Sequence, residues 1–291
     1  MLKYTENKNI DLLKWDNTVN NSCNGYIYST AKYLNIVCEN WDALIYNDYE
    51  IVMPLPYKKK YGIKYIMQPF FTQQLGIIYY EQPEPKVLNE FYNFLKNSFL
   101  YFAINLNSNN NTNFKINKIE KTNLILNLQN SYSDIYSNFS TNTQRNLKKI
   151  SKTHFLIDIE TKNSENFIKF FNSNLEKKEL PSTIETLKNL INFAFINKIG
   201  EIYTVKENNE TLASVFFLES KNRHIYLAAS SNNLGKEKKA MFYLVNNFIE
   251  THSETNSILD FEGSDIEGVK RFYESFGAKK ENYFHVYKKI F

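Results

Sequence analysis

Asp260, Glu262 and Asp265 stand close together toward the end of the chain, at the junction of an apolar strand pattern and a helical one. Carboxylates at such a strand end and helix mouth sit where α/β folds gather ligands. One of them could take a proton from an attacking amine or hydroxyl. The plainer alternative is that Asp265 caps the helix and Glu262 is solvated. A second set is cationic. Arg145, Lys148, Lys149 and Lys152 recur at i, i+3, i+4 and i+7, which places them in one stripe of a helix, with Leu147 and Ile150 on a different face. A stripe of this kind suits an RNA backbone, a pyrophosphate or a phosphosugar, or it is the solvated face of a surface helix.

The elements around the carboxylates are legible. Residues 258–261 read as a buried strand broken at Gly263. Ser264 with Glu267 three residues on has capping-box spacing and predicts a helix start. Ile266, Val269, Phe272 and Phe276 supply its apolar face, and Gly277 stops it where positive φ is needed. Tyr273 falls one step off that face, the position of a core-edge tyrosine with its hydroxyl in water. A last strand is expected over 283–287.

Other chemistries find little footing. His154, His224, His252 and His285 are scattered, and Cys23 and Cys38 form no C-x-x-C pair, so no metal site is expected and both cysteines read as packing residues. With eight glycines in 291 residues there is no glycine-rich phosphate loop, and no G-x-S-x-G elbow. Hydrophobic residues at 43% and charged ones at 23% are the balance of a soluble globular chain, with no apolar run long enough for a membrane span. The first residues lack an apolar signal region, which makes the cytoplasm the expected compartment. A net charge of +4 fits anionic ligands but falls short of a dedicated nucleic-acid-binding domain.

Hydrophobic periodicity runs through the chain twice. In the first half, helices near 10–19 (burying Leu12, Trp15 and Val19) and from 30 lead into strands 43–46 and 49–53 flanking a two-residue Asn47-Asp48 turn. A basic turn at 58–62, strands 65–67 and 75–80, a helix burying Leu88, Phe91 and Leu95, and a strand over 100–106 follow. Helices over 166–177 and 183–196, strands 201–205, 212–218 and 224–230, a helix over 239–251 and a strand at 258–261 repeat that order. The parallel series predicts two duplicated domains, 1–112 and 113–291, divided within the Asn-rich run 107–113; two unrelated α/β units are the alternative.

The segment Phe272-Tyr-Glu-Ser-Phe-Gly-Ala278, framed by two strands, resembles the closing motif of GNAT-type N-acyltransferases. Thr141-Asn-Thr-Gln-Arg-Asn-Leu-Lys-Lys-Ile150 and Leu259-Asp-Phe-Glu-Gly263 are similar to motifs of the Fem-like peptidyltransferases, whose chains carry two such halves. The resemblance implies an α/β (α+β) fold of two tandem GNAT-like domains, with mixed, mostly antiparallel sheets flanked by helices and a degenerate first half. It implies transfer of an acyl group from a coenzyme A thioester or aminoacyl-tRNA to an amine or hydroxyl, such as a peptidoglycan-precursor-like acceptor, in a groove between the halves. Tyr273 would then protonate the leaving group, with Glu262 or Asp260 as base and the Arg145 stripe as anion anchor. The donor loop of the family maps onto Asn232, Gly235, Lys236 and Lys238, but here only one glycine stands, Glu237 replaces a small residue and Asn232 replaces the usual anchor. In the first half Phe70-Phe-Thr-Gln-Gln-Leu-Gly76 occupies the same place. These departures weigh against acetyl-CoA more than against the fold, and favour, as the alternative, a binding protein that keeps the cleft without the chemistry. Binding of RNA through the basic stripe is a third reading.

Overall fold

The computed structural model describes residues 1–110, 114–151, 153–175, 181–263 and 265–288. The chain separates into two compact units, Met1–Lys121 with Asn282–Phe291, and Thr122–Glu281. Residues 111–113, within the run expected to divide the halves, lie outside the described residues, as do Lys152 and Ser264.

Unit 1 begins with β1 (Leu2–Thr5), α1 (Leu12–Asn21), α2 (Ala31–Val37), β2 (Trp41–Tyr46), β3 (Ile51–Lys60), β4 (Ile63–Met67), β5 (Ile78–Tyr79), α3 (Pro85–Ser98) and β6 (Phe102–Asn105). Asp11 caps α1 by accepting the Leu13 and Lys14 N–H groups, and Trp15 and Val19 turn inward. Leu12, expected in the core, is exposed. The strands run β1-β2-β3-β4-β6, antiparallel except for the parallel β4–β6 contact.

Unit 2 continues from β7 (Asn117–Asn127), which begins in unit 1, through α4 (Tyr132–Ser137), α5 (Thr141–Ile150), β8 (Leu156–Glu160), α6 (Glu165–Ser173) and α7 (Pro181–Ile196). Then come β9 (Gly200–Glu207), β10 (Glu210–Ser220), β11 (Arg223–Ser231), α8 (Asn233–Glu237), α9 (Ala240–His252), β12 (Ile258–Asp260) and α10 (Glu267–Glu274). Its strand order is β7-β12-β11-β10-β9-β8, again antiparallel but for β11–β12. The core gathers Phe217 and Phe248, stacked with centroids 3.8 Å apart, with Tyr203, Leu244, Val245 and Ile249 around them. The final strand, β13 (Lys279–Lys288), leaves unit 2 at Glu281 and pairs antiparallel with β6 of unit 1. Among the described residues no helix is long and apolar enough to cross a membrane.

Several local expectations shift. The β2–β3 turn spans four residues, because Tyr46 pairs with Ile51. True two-residue turns occur at Tyr61-Gly62 and Asn208-Asn209, where all four residues take positive φ as a type I′ hairpin requires. The strand expected over 75–80 shrinks to β5. Gly76 takes φ +98, and a Cβ there would lie 2.1 Å from Asn110 Oδ1. Cys23 is exposed, whereas Cys38 packs, donates to the Leu34 carbonyl and has its thiol pushed up to about 12 by burial.

His224 on β11 lies against Phe248 and His252, with imidazole centroids 4.7 Å apart. Burial, then the neighbouring His252, lowers its pKa from 6.5 to about 4. The unfolded chain therefore binds a proton at this position that the native state refuses. Stability from a neutral His224 is fully present above pH 6.5 and is lost as pH falls toward 4. Thermal midpoints recorded across that window should fall more steeply for the parent than for His224→Phe.

Candidate functional site

β11 and β12 pair over only three positions, from Arg223↔Ile258 to Ile225↔Asp260. Beyond Asp260 the chain turns away, with Glu262 and Gly263 both left-handed at φ +56 and +62. At Gly263 a Cβ would stand 2.1 Å from the Thr122 carbonyl oxygen, so only glycine fits. β11 runs on to Ser231 paired only with β10, and the space opened on its β12 side is flanked by α8, the start of α9 and α10. A pocket of about 390 Å³ results, lined by Tyr226, Ser230 and Ser231 of β11, by Gly235, Lys236, Lys239 and Phe242, and by Val269, Phe272 and Tyr273 of α10.

Tyr273 is the buried residue of α10, whereas Phe272 is half-buried and Ile266, expected on the inner face, is 68% exposed. The helix begins at Glu267 with Ile266 as its cap, and the Ser264 half of the expected capping box lies outside the described residues. The Tyr273 ring stacks on Phe261 at 4.6 Å and meets Tyr226 edge-on at 5.6 Å. Neighbouring rings of β11 and the β12 end therefore decide which aromatic turns inward. Burial, and then the negative charge of Glu262, raises the Tyr273 hydroxyl well above the ordinary phenol range. It is protonated throughout the neutral range and can donate a proton, not accept one. Glu262 is half-buried at the strand end.

Asp260 has a different task. It is 1% exposed; Oδ2 accepts from Arg223 Nη1, and Oδ1 accepts the Glu262 N–H at 2.8 Å. Arg223 also holds Glu281 through both guanidinium nitrogens, and Asn123 donates to that carboxylate. One Asp260 oxygen thus belongs to a buried ion cluster, and the other holds the Glu262 backbone. Arg223, which the sequence pattern did not single out, is the hub of that cluster.

The donor-loop residues divide. Lys236 and Gly235 line the pocket, and so does Lys239, which takes the left-handed conformation ahead of α9. Asn232 instead caps α8. Its Oδ1 accepts the Gly235 N–H at 2.7 Å while its Nδ2 donates to the Thr211 carbonyl. Lys238 pairs with Glu207. A Cβ on Gly235 would come within 2.0 Å of the Leu212 carbonyl oxygen, so this glycine answers to packing against β10. The N–H groups of Gly235, Lys236, Lys238 and Lys239 all have partners within this segment. To the pocket this segment brings two lysine side chains, Lys236 and Lys239. Arg145, Lys148 and Lys149 are exposed on α5, opposite the buried Thr143, Leu147 and Ile150, and do not line the pocket. Among the described residues no three His, Cys, Asp or Glu side chains come together as a metal site would require.

Two substitutions test this reading of the site. Gly235→Ala should destabilise the fold, because the methyl meets the Leu212 backbone and the Ser231 hydroxyl, and urea unfolding should show a lowered midpoint. Asp260→Asn should cost on the order of 3 kcal/mol by leaving a buried guanidinium short of a counter-charge, measured in the same way.

No family model matches the sequence, and no curated protein matches it. Solved structures do. FemX aligns over 97% of this chain and 96% of its own with TM-score 0.66 at 11% identity. L-PGS from Bacillus licheniformis aligns over 96% and 92%, with TM-score 0.58 at 11% identity. A tandem GNAT protein from the clavulanic acid biosynthesis pathway aligns over 99% and 98%, with TM-score 0.56 at 6% identity. At these identities the likeness is one of fold, and it runs nearly from end to end. The chain has the tandem GNAT fold, with mixed, mostly antiparallel sheets flanked by helices, shared with FemX and L-PGS.

Proposed function

We propose that unit 2 is an acyltransferase whose reacting centre is the pocket between β11 and α10. The observation that carries this reading is Tyr273, a buried and protonated phenol facing a pocket whose lining includes Lys236 and Lys239. An amine or hydroxyl acceptor attacks the carbonyl of an activated ester or thioester, and Tyr273 supplies the proton that the leaving oxygen or sulfur takes up. Glu262, whose charge is felt at Tyr273, is the base that takes the acceptor's proton. Asp260 and Arg223 hold the strand end on which Glu262 stands. A peptidoglycan-precursor-like amine is one acceptor of the required class.

Unit 1 is the degenerate half. Its parallel pair, β4 and β6, corresponds to β11 and β12, but the following loop is stitched down: the Gln68 N–H donates to the Ala103 carbonyl and the Leu75 N–H to that of Asn105. Asn105 and Gln68 side chains add further bonds across the same place. An aminoacyl-tRNA donor would engage the exposed row of Arg145, Lys148 and Lys149 as well as the two pocket lysines. The donor loop, with one glycine at Gly235 and Glu237 in place of a small residue, favours a second reading, a binding protein that retains the pocket alone.

The deciding experiment is thermal-shift titration of the full chain with coenzyme A, acetyl-CoA and longer acyl-CoA species, followed by transfer assays with amine acceptors. Saturation at about 100 times the dissociation constant adds roughly 2.7 kcal/mol, a shift of a few degrees. Lys236→Glu with Lys239→Glu should abolish that shift. Tyr273→Phe should keep it and lower transfer by about 10²–10⁴-fold. Absence of any thioester shift, with gel-shift binding of an aminoacylated tRNA that Arg145→Glu weakens, would move the donor to the tRNA class. Ligand shifts without transfer, unaltered by Tyr273→Phe, would leave the binding protein.

A further inference from the structure

β3 and β4 outrun the rest of their sheet in unit 1. β3 pairs with β2 only from Ile51 to Pro56, and from Tyr57 to Lys60 it pairs with β4. β4 in turn meets β6 only at Ile66 and Met67. Residues 58–65 therefore form a two-stranded arm without a third strand beside it, an arrangement with little stability of its own.

The arm's composition is uneven. At its apex, Tyr61 is 92% exposed and Ile63 53%, and a Cβ built on Gly62 would meet no atom within 4 Å. Behind the apex stand Lys58, Lys59 and Lys60, all exposed. Lys64, the remaining cation, is held by Asp42 at 2.7 Å and by the Tyr4 hydroxyl at 3.0 Å. Among the described residues the other three lysines have no carboxylate partner. An aromatic ring and an aliphatic chain at the tip, collared by point charges of one sign, match the layering of a lipid surface. Tyrosine favours the headgroup level, the aliphatic chain goes deeper, and lysines face anionic phosphates. A nucleic-acid surface would be expected to offer guanidinium forks and open aromatic faces. The arm has no arginine, the Lys60 ammonium stands over the Tyr61 ring at 5.6 Å, and Tyr65 behind it is turned edge-on to Tyr101 at 6.0 Å and 76°.

We propose that the arm docks unit 1 on an anionic lipid surface, with Tyr61 and Ile63 entering the interface and Lys58, Lys59 and Lys60 against the headgroup phosphates. The binding is electrostatically driven, reversible and weakened by salt.

The test is co-sedimentation of the full chain with phosphatidylglycerol-rich vesicles and with pure phosphatidylcholine vesicles. Binding to the first alone is expected. The triple variant K58Q/K59Q/K60Q should bind on the order of 100-fold more weakly, at about fivefold per lysine, and Y61S/I63S should also weaken binding. Both should keep the parent's thermal midpoint, since every altered side chain is exposed. In Y61W the new indole should shift to the blue on adding anionic vesicles, against the background of the buried Trp15 and Trp41. Equal binding to both vesicle types, or anionic binding unchanged in both variants, overturns the proposal. So does binding of a structured RNA that the triple variant loses, in the absence of vesicle binding; the arm is then a nucleic-acid contact.

Discussion

Arg223 reaches across the closed end of the β11–β12 pair to Asp260 and on to Glu281, while the left-handed residues Glu262 and Gly263 turn the chain away immediately beyond. The pocket depends on this sequence of a clamp followed by a swerve. The ion cluster is nearly dry, so its desolvation cost offsets much of its attraction, and its value lies in direction: a guanidinium satisfied by two carboxylates fixes where both strands lie. The swerve is fixed sterically, since the Thr122 carbonyl leaves no room for a Cβ at Gly263. Strands held at one end and parted at the other leave a wedge, and Tyr273 fills its inner edge against Phe261 and Tyr226.

The same strand plan serves unit 1 with the opposite result. A parallel pair, β4 and β6, again follows an antiparallel series, yet the segment after β4 folds back and bonds to β6 where unit 2 stays open. Amide side chains bond across the same place: Gln68 accepts the Asn105 N–H, Asn105 donates to the Gln73 carbonyl, and Gln74 accepts the Ser108 N–H. His285 closes the set from the last strand, its Nδ1 2.8 Å from Asn105 Oδ1. Unit 1 thus completes its sheet with residues some 180 positions from β6, and such non-local pairing is slow to form because the intervening chain must be ordered first.

Much of this was legible in the residues. Periodicity placed α1, α3, α9 and the β9–β10 hairpin close to where they lie, because an amphipathic helix or strand carries its partner face in its own pattern. The paired order of elements was visible for the same reason. Tyr273, Gly235 and Lys236 were also singled out, and they share one pocket. The readings that shifted were those in which a distant neighbour decides. The Asn47-Asp48 turn lengthened because the β2–β3 register starts at Ile51. Leu12 and Ile266 carry apolar side chains at helical spacing, yet they lie exposed at the surface.

What the sequence determined by itself was the set of elements, the duplicated order and the concentration of acid and phenol groups near one strand end. Only the tertiary structure decided which of those groups remain available. Asp260 gives Oδ2 to Arg223, 37 positions away in the chain, and Oδ1 to the Glu262 N–H. Asn232 commits its Oδ1 to the Gly235 N–H and its Nδ2 to the Thr211 carbonyl, and Lys238 is neutralised by Glu207 of the β9–β10 hairpin. A side chain's type states what chemistry it can perform; the partners that consume its hydrogen bonds and charge come from elsewhere in the fold, and no local pattern encodes them.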